Sequence, residues 1–110
     1  MPLSDKVRLE IFIPDSPNIA YRNLLDELGT ELTYAFGGCT EIAALGKYRS
    51  FDGPIFPDQI NILFSDIPLL WERDQLTLEQ YIVWVKQAAE RALEGEEVVL
   101  VSVYPVCHAE

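Results

Sequence analysis

Histidine occurs once in this chain, methionine once and cysteine twice, so the side chains that most often hold metals or act as nucleophiles are scarce from the outset. The two cysteines, Cys39 and Cys107, stand far apart with no CxxC or other metal-ligand spacing around them, and no metal site is expected. Basic residues are also few. Eight cations face eighteen acids, a net charge of −10, and the cations are scattered and form no stripe. A nucleic-acid binder gains its affinity by neutralising phosphates, so this balance argues against one. It argues equally against an anionic membrane surface. No apolar run approaches the roughly 20 residues of a membrane helix. The opening MPLSDKVRLE lacks the basic stretch and apolar run of a secretory signal. The expectation is a cytoplasmic protein. Glycine-rich phosphate loops, HExxH and Ser-His-Asp patterns are missing as well, and neither a cofactor nor a catalytic constellation is expected.

What is present is an ordinary globular composition, 49% apolar and 24% charged over 110 residues, enough for one domain (residues 1–110) with a two-layer core. KVRLEIFIP alternates, with Val7, Leu9, Ile11 and Ile13 on one face and Arg8, Glu10 and Phe12 on the other, the pattern of a half-buried strand. A helix follows, with Asp15 or Ser16 as its cap, Pro17 in its first turn and Tyr21, Leu24, Leu25, Leu28, Leu32 and Ala35 as its apolar stripe. Gly29 is expected to kink or interrupt it, and Gly37 and Gly38 to end it. CTEIAALGKYRS reads as a second strand, GKYRSFDGPIFPDQ contains a Pro/Gly loop, and QINILFSDI reads as a third strand. A second helix is expected from a Thr77/Gln80 capping box to Gly95, and EEVVLVSVYPV is a fourth strand. The order β-α-β-β-α-β predicts an α+β, ferredoxin-like domain: a four-stranded antiparallel sheet, order 4-1-3-2, with both helices on one face.

The face left open is predicted to carry Arg8, Glu10 and Phe12, then Ala43, Leu45 and Lys47, then Asn61, Leu63 and Ser65, and finally Val98, Leu100, Ser102 and Tyr104. Phe12, Leu45, Leu63, Leu100 and Tyr104 make it too apolar for water, so a homo-oligomer using these residues is expected. Lys47 and Arg49 are predicted to approach the helix start at Ser16 and Asn18, a seat for a small anionic ligand. The competing view pairs the two cations with Asp52, Asp58 or Asp15. His108 and Cys107 read as a partly ordered tail. Cys39 and Cys107 are expected as free thiols on opposite edges. Leu69, Leu70 and Trp71, apolar residues in a connector, are either folded under the helices or offered to a partner.

The run Phe36-Gly37-Gly38-Cys39-Thr40, followed by Gly46, Tyr48, Asp52-Gly53 and Asp58, resembles a GGxT…G…DG pattern of small uncharacterised bacterial proteins. The resemblance implies the same ferredoxin-like domain, with no known activity. The wider fold resembles dimeric α+β barrels and PII-like signal proteins, although the long loop those signal proteins carry between the second and third strands is missing here. The functional expectation is a binding or regulatory domain without chemistry of its own. The alternatives are a small enzyme of the dimeric-barrel type using Tyr48, Arg49, Asp52 or Tyr104, and a protein-protein adaptor docking through Leu69, Leu70 and Trp71.

Overall fold

The computed structural model describes residues 3–94 and 99–109. In chain order it contains β1 (Leu3–Pro14), α1 (Ile19–Phe36), β2 (Thr40–Arg49), β3 (Ile55–Ile67), α2 (Gln75–Leu93) and β4 (Leu100–Ala109). The four strands form one antiparallel sheet, β2-β3-β1-β4, the predicted order read from the other edge, and the fold is ferredoxin-like. The roles of Gly95, Glu96, Glu97 and Val98 lie outside the described residues.

β1 is one of the two inner strands, and its alternation serves the two faces of the sheet. Val7, Leu9, Ile11 and Ile13 are fully buried beneath the helices, together with Leu24, Leu25, Leu28 and Leu32 of α1 and Val85, Ala88, Ala89 and Leu93 of α2. The two helices are joined at one end by Phe36 and Tyr81, whose rings meet edge to face at 5.0 Å. Gly37 ends α1 in the left-handed region at φ 83°, where its N–H donates to the Thr33 carbonyl.

Several boundaries differ from the sequence expectation. Asn18 caps α1, its side-chain oxygen accepting from the Ala20 N–H, while the Ser16 hydroxyl oxygen accepts from the Asn18 N–H. The helix therefore begins after Pro17. It then runs unbroken through Gly29, which faces Leu63 of the sheet, and Ala35 is exposed. α2 starts two residues before Thr77, so no capping box forms; Asp74 precedes it, and its carboxylate accepts instead from the Leu70 N–H. Much of the expected loop is ladder. β3 begins at Ile55 and pairs with β2 as far as Arg49, which leaves only residues 50–54 for the turn. Cys107 and His108, expected as a partly ordered tail, are strand instead: β4 continues through them, pairing with Asp5 and Ser4.

The largest correction concerns phase. Ile11 lies opposite Leu63 and Val7 opposite Ile67, which puts Leu63 and Ser65 on the helix side, both buried. The register carries across to β2, so Ala43, Leu45 and Lys47 are on that side too. The open face instead receives Ile60, Ile62, Phe64 and Asp66 from β3 and Ile42, Ala44 and Tyr48 from β2. Leu63 is 2% exposed and belongs to the core; it forms no part of an open face. Phe12, Leu100 and Tyr104 are on the open face as expected.

Candidate functional site

The open face is built from alternate residues of β1, β3 and β4. Arg8 pairs in register with Asp66 on one side and with Tyr104 on the other. The pairing brings a guanidinium, a carboxylate and a phenol to one level. Arg8 grips Asp66 with two parallel bonds, Nε to Oδ1 at 2.7 Å and Nη2 to Oδ2 at 2.9 Å. His108 joins from β4, its Nε2 lying 2.7 Å from the same Oδ2. The forked geometry suits a planar guanidinium, and such charge-assisted pairs are the strong members of their class.

Electrostatics follow from this geometry. The Arg8 hydrogen bonds hold the Asp66 carboxyl below the usual carboxylate range, against an opposing push from burial, with His108 adding to the effect. Asp66 in turn raises the Arg8 guanidinium further above its already high value. Burial pushes the Tyr104 phenol up, and a hydrogen bond with Glu10 adds to the rise. Arg8 also lies over the Phe64 ring, 4.3 Å from its centroid, so the guanidinium is stacked as well as paired. All three members of the cluster are partly covered, at 28%, 14% and 32% side-chain exposure for Arg8, Asp66 and His108.

Around this polar centre the face is apolar. Phe12, Ile60, Ile62 and Phe64 are half-buried by one another, and Leu100 and Ile42 are exposed. No helix covers them, because α1 and α2 both pack on the opposite side. The apolar surface continues onto the ribbon of β2 and β3 beyond the end of β1. There Tyr48 faces Phe56, and its ring folds back over Gly46, occupying the space where any larger residue would place its Cβ. The other side of the ribbon bears Leu45 and Ile55, and Phe51 at the turn is 96% exposed. With exposed apolar residues on both of its sides, the arm contributes to a molecule 47 Å long.

Lys47 and Arg49 sit on this arm, opposite Pro57 and Ile55, past the level where β1 ends opposite Ile60. Among the described residues neither makes an ion pair or hydrogen bond, with Ser16 and Asn18 or with Asp15, Asp52 and Asp58. Ser16 and Asn18 use their side-chain oxygens on the start of α1. Among the described residues the four ligand residues that the sequence grouped make no side-chain bond to one another, whereas Arg8, Asp66, His108 and Tyr104, which it did not group, meet at one level of the sheet.

Elsewhere the chemistry is sparse. A groove between α1 and β2, bounded by Leu25, Gly29, Thr33, Cys39, Glu41 and Leu63, is open to solvent along its length. Burial raises the Cys39 thiol above its ordinary value, which makes it a poor nucleophile. Cys39 and Cys107 are both free. Leu69 packs against the core, whereas Leu70 and Trp71 are about two-fifths exposed. Among the described residues no three His, Cys, Asp or Glu side chains are gathered for a metal ion, and no helix is long and apolar enough to cross a membrane.

No family model matches the chain, and no curated protein matches it at a significant level. Solved structures do resemble it. The CPII protein of Thiomonas intermedia, bound to ADP, AMP and acetate, is 17% identical and superposes over 100% of this chain and 94% of its own at a TM-score of 0.51. CutA from Synechococcus elongatus is 11% identical, covering 97% of this chain and 85% of its own at 0.56. A phage SAM lyase in complex with S-methyl-5'-thioadenosine is 15% identical, covering 92% and 88% at 0.53. At such identities the likeness shows the fold alone, the ferredoxin-like arrangement of PII-like and CutA proteins.

Proposed function

We propose that this chain is a cytoplasmic, homo-oligomeric domain with a binding or regulatory role, whose copies associate through the open sheet face. The observation that carries the reading is that face itself: Phe12, Ile42, Ile60, Ile62, Phe64 and Leu100 lie on one surface with no helix over them. Monomers rarely leave a contiguous apolar area of this kind in water. A second copy of the same face, already provided with its own satisfied polar pairs, is a suitable cover.

The ligand in this reading is a small anion. Lys47 and Arg49 are its first contacts, because they are cations without partners among the described residues of a strongly acidic chain. Ser16 and Asn18 are secondary, their side-chain oxygens being engaged at the helix start. Adenine nucleotides and acetate on CPII support a carboxylate or phosphate as the class of ligand.

The test has two halves. Solution mass is measured by light scattering on the wild type and on Leu100→Glu; an oligomer that the charge dissociates supports the interface, and a wild-type monomer removes it. Calorimetric titration with ADP and with acetate then compares the wild type with a Lys47→Ala/Arg49→Ala double variant. Heat that disappears in the variant supports the anion seat, and no heat from either compound rejects it.

A second reading is favoured by one observation, the Asp66–His108 pair beside Tyr104 on a face that a subunit would enclose. It is a small enzyme with its pocket between copies. Of the residues expected for that role, Tyr48, Arg49 and Asp52 are on the arm and its turn, and Tyr104 alone is near the pair.

A further inference from the structure

We propose that proton uptake by His108 loosens the assembly formed through the open face, so that the cluster Arg8–Asp66–His108 makes association pH-sensitive. The inference rests on the oligomeric reading above and concerns the regulation of the same surface.

The charge balance of the cluster carries it. Asp66 has one negative charge, and Arg8 answers it with two bonds, one to each oxygen. A neutral imidazole completes the set by donating its Nε2–H to Oδ2 and adds no charge. A second proton, on Nδ1, makes the cluster net positive. While the face is open, with a third of the His108 side chain exposed, water can solvate that charge. Once a second copy covers the face the water is gone, and a charge moved out of water without a matched partner is costly.

The other groups on this face do not repair the balance. From β1 it receives Lys6, Arg8 and Glu10, from β3 Asp66, and from β4 Tyr104; Asp58 of β3 and Tyr48 of β2 share the face but lie out on the arm beyond the end of β1, and no helix packs on this side. Near the cluster the Lys6 cation offsets the Glu10 carboxylate, which is hydrogen-bonded to Tyr104, so no carboxylate is left over for a charged imidazole. Covering the face therefore favours the neutral imidazole. By linkage, a state that binds fewer protons is weakened as pH falls. The effect is at most about tenfold in association constant per pH unit for each histidine.

Light scattering from about pH 8 to about pH 5.5 tests this on the wild type, His108→Gln and His108→Lys, with far-ultraviolet circular dichroism confirming the fold at each pH. The expected result is a wild-type oligomer that dissociates towards the acid end. His108→Gln, which can still donate to Asp66 but cannot charge, stays assembled throughout. His108→Lys is dissociated throughout. A wild-type oligomer of constant mass overturns the inference and leaves the oligomeric reading standing, as does a Gln variant that dissociates in parallel with the wild type. A wild-type monomer at about pH 8 overturns both. Should the variants not fold, dilution calorimetry of the wild type in two buffers of different ionisation heat counts protons directly. Uptake on dissociation is expected, and zero exchange rejects the proposal.

Discussion

The two faces of one sheet follow opposite designs. On the helix side, Val7, Leu9, Ile11, Ile13, Leu63 and Ile67 are all essentially inaccessible. On the open side β1, β3 and β4 alternate large apolar groups with the Lys6 ammonium, the Arg8 guanidinium, the carboxylates of Glu10 and Asp66, the Tyr104 phenol and the His108 imidazole, each at least partly covered. The first face is finished by the chain's own helices, and its stability comes from removing apolar surface from water. The second carries its polar groups already paired to one another, Arg8 with Asp66 and His108, Glu10 with Tyr104. Pairing of this kind lowers the cost of covering these groups, because a charge moved out of water with its partner is less costly than one moved alone.

The contrast is sharpest where a single substitution separates the two faces. Leu63→Ala, at a buried position, is expected to lower stability by about 2–5 kcal/mol in urea unfolding, the range for deleting a packed core leucine. An open-face Leu63 would cost far less, so a loss under about 0.5 kcal/mol breaks the assignment.

A smaller effect probes the polar side. Asp66→Asn removes the charge that Arg8 grips, at an expected cost of about 1–2 kcal/mol near neutral pH. The sign of its pH dependence follows from the depressed carboxyl. The folded state holds Asp66 below its unfolded value of about 3.9, so the stabilisation is present above that value and is lost as pH falls through the folded one. Unfolding midpoints measured down the acid limb should therefore converge for wild type and variant. Parallel curves would mean the pair contributes nothing.

The smallest expected effect is a gain. A Cβ at Gly29 would meet only the Leu63 Cδ2, at 3.9 Å, an ordinary contact. Gly29→Ala should raise stability by roughly 0.5–1 kcal/mol by thermal melting, the propensity difference in a helix interior. A loss would mean that the helix depends on glycine for close approach to the sheet.

How far the sequence was legible differs between the same two faces. β1 was read correctly because Arg8 and Glu10 interrupt its apolar residues, so only one phase buries no charge. β3 offers apolar side chains in both phases, Ile60, Ile62 and Phe64 in one and Leu63 and Ile67 in the other. Composition cannot choose between them; the pairing register does. One signal was available, since the phase that places Asp66 opposite Arg8 leaves neither charge alone. His108 was passed over for a related reason. A position near the end of the sequence suggested fraying, yet Leu100, Ser102, Tyr104, Val106 and His108 keep one alternation, and β1 extends back to Leu3 to receive them. The arm was misjudged as a loop because Pro54, Pro57 and Gly53 outweighed the apolar residues between them.

The position of β1 has a consequence for how the molecule reaches its folded state. Both of its sheet neighbours are remote in sequence: β3 returns to it after α1 and β2, and β4 only after the rest of the fold. The β2–β3 hairpin is the one ladder formed between consecutive strands, and much of it lies out on the arm, away from the core. Early local pairing thus secures the periphery, while the strand at the centre waits for two long loops to close. Closing them costs chain entropy before any burial is gained, which slows folding. The most protected strand in the finished protein is in this sense among the last to be held.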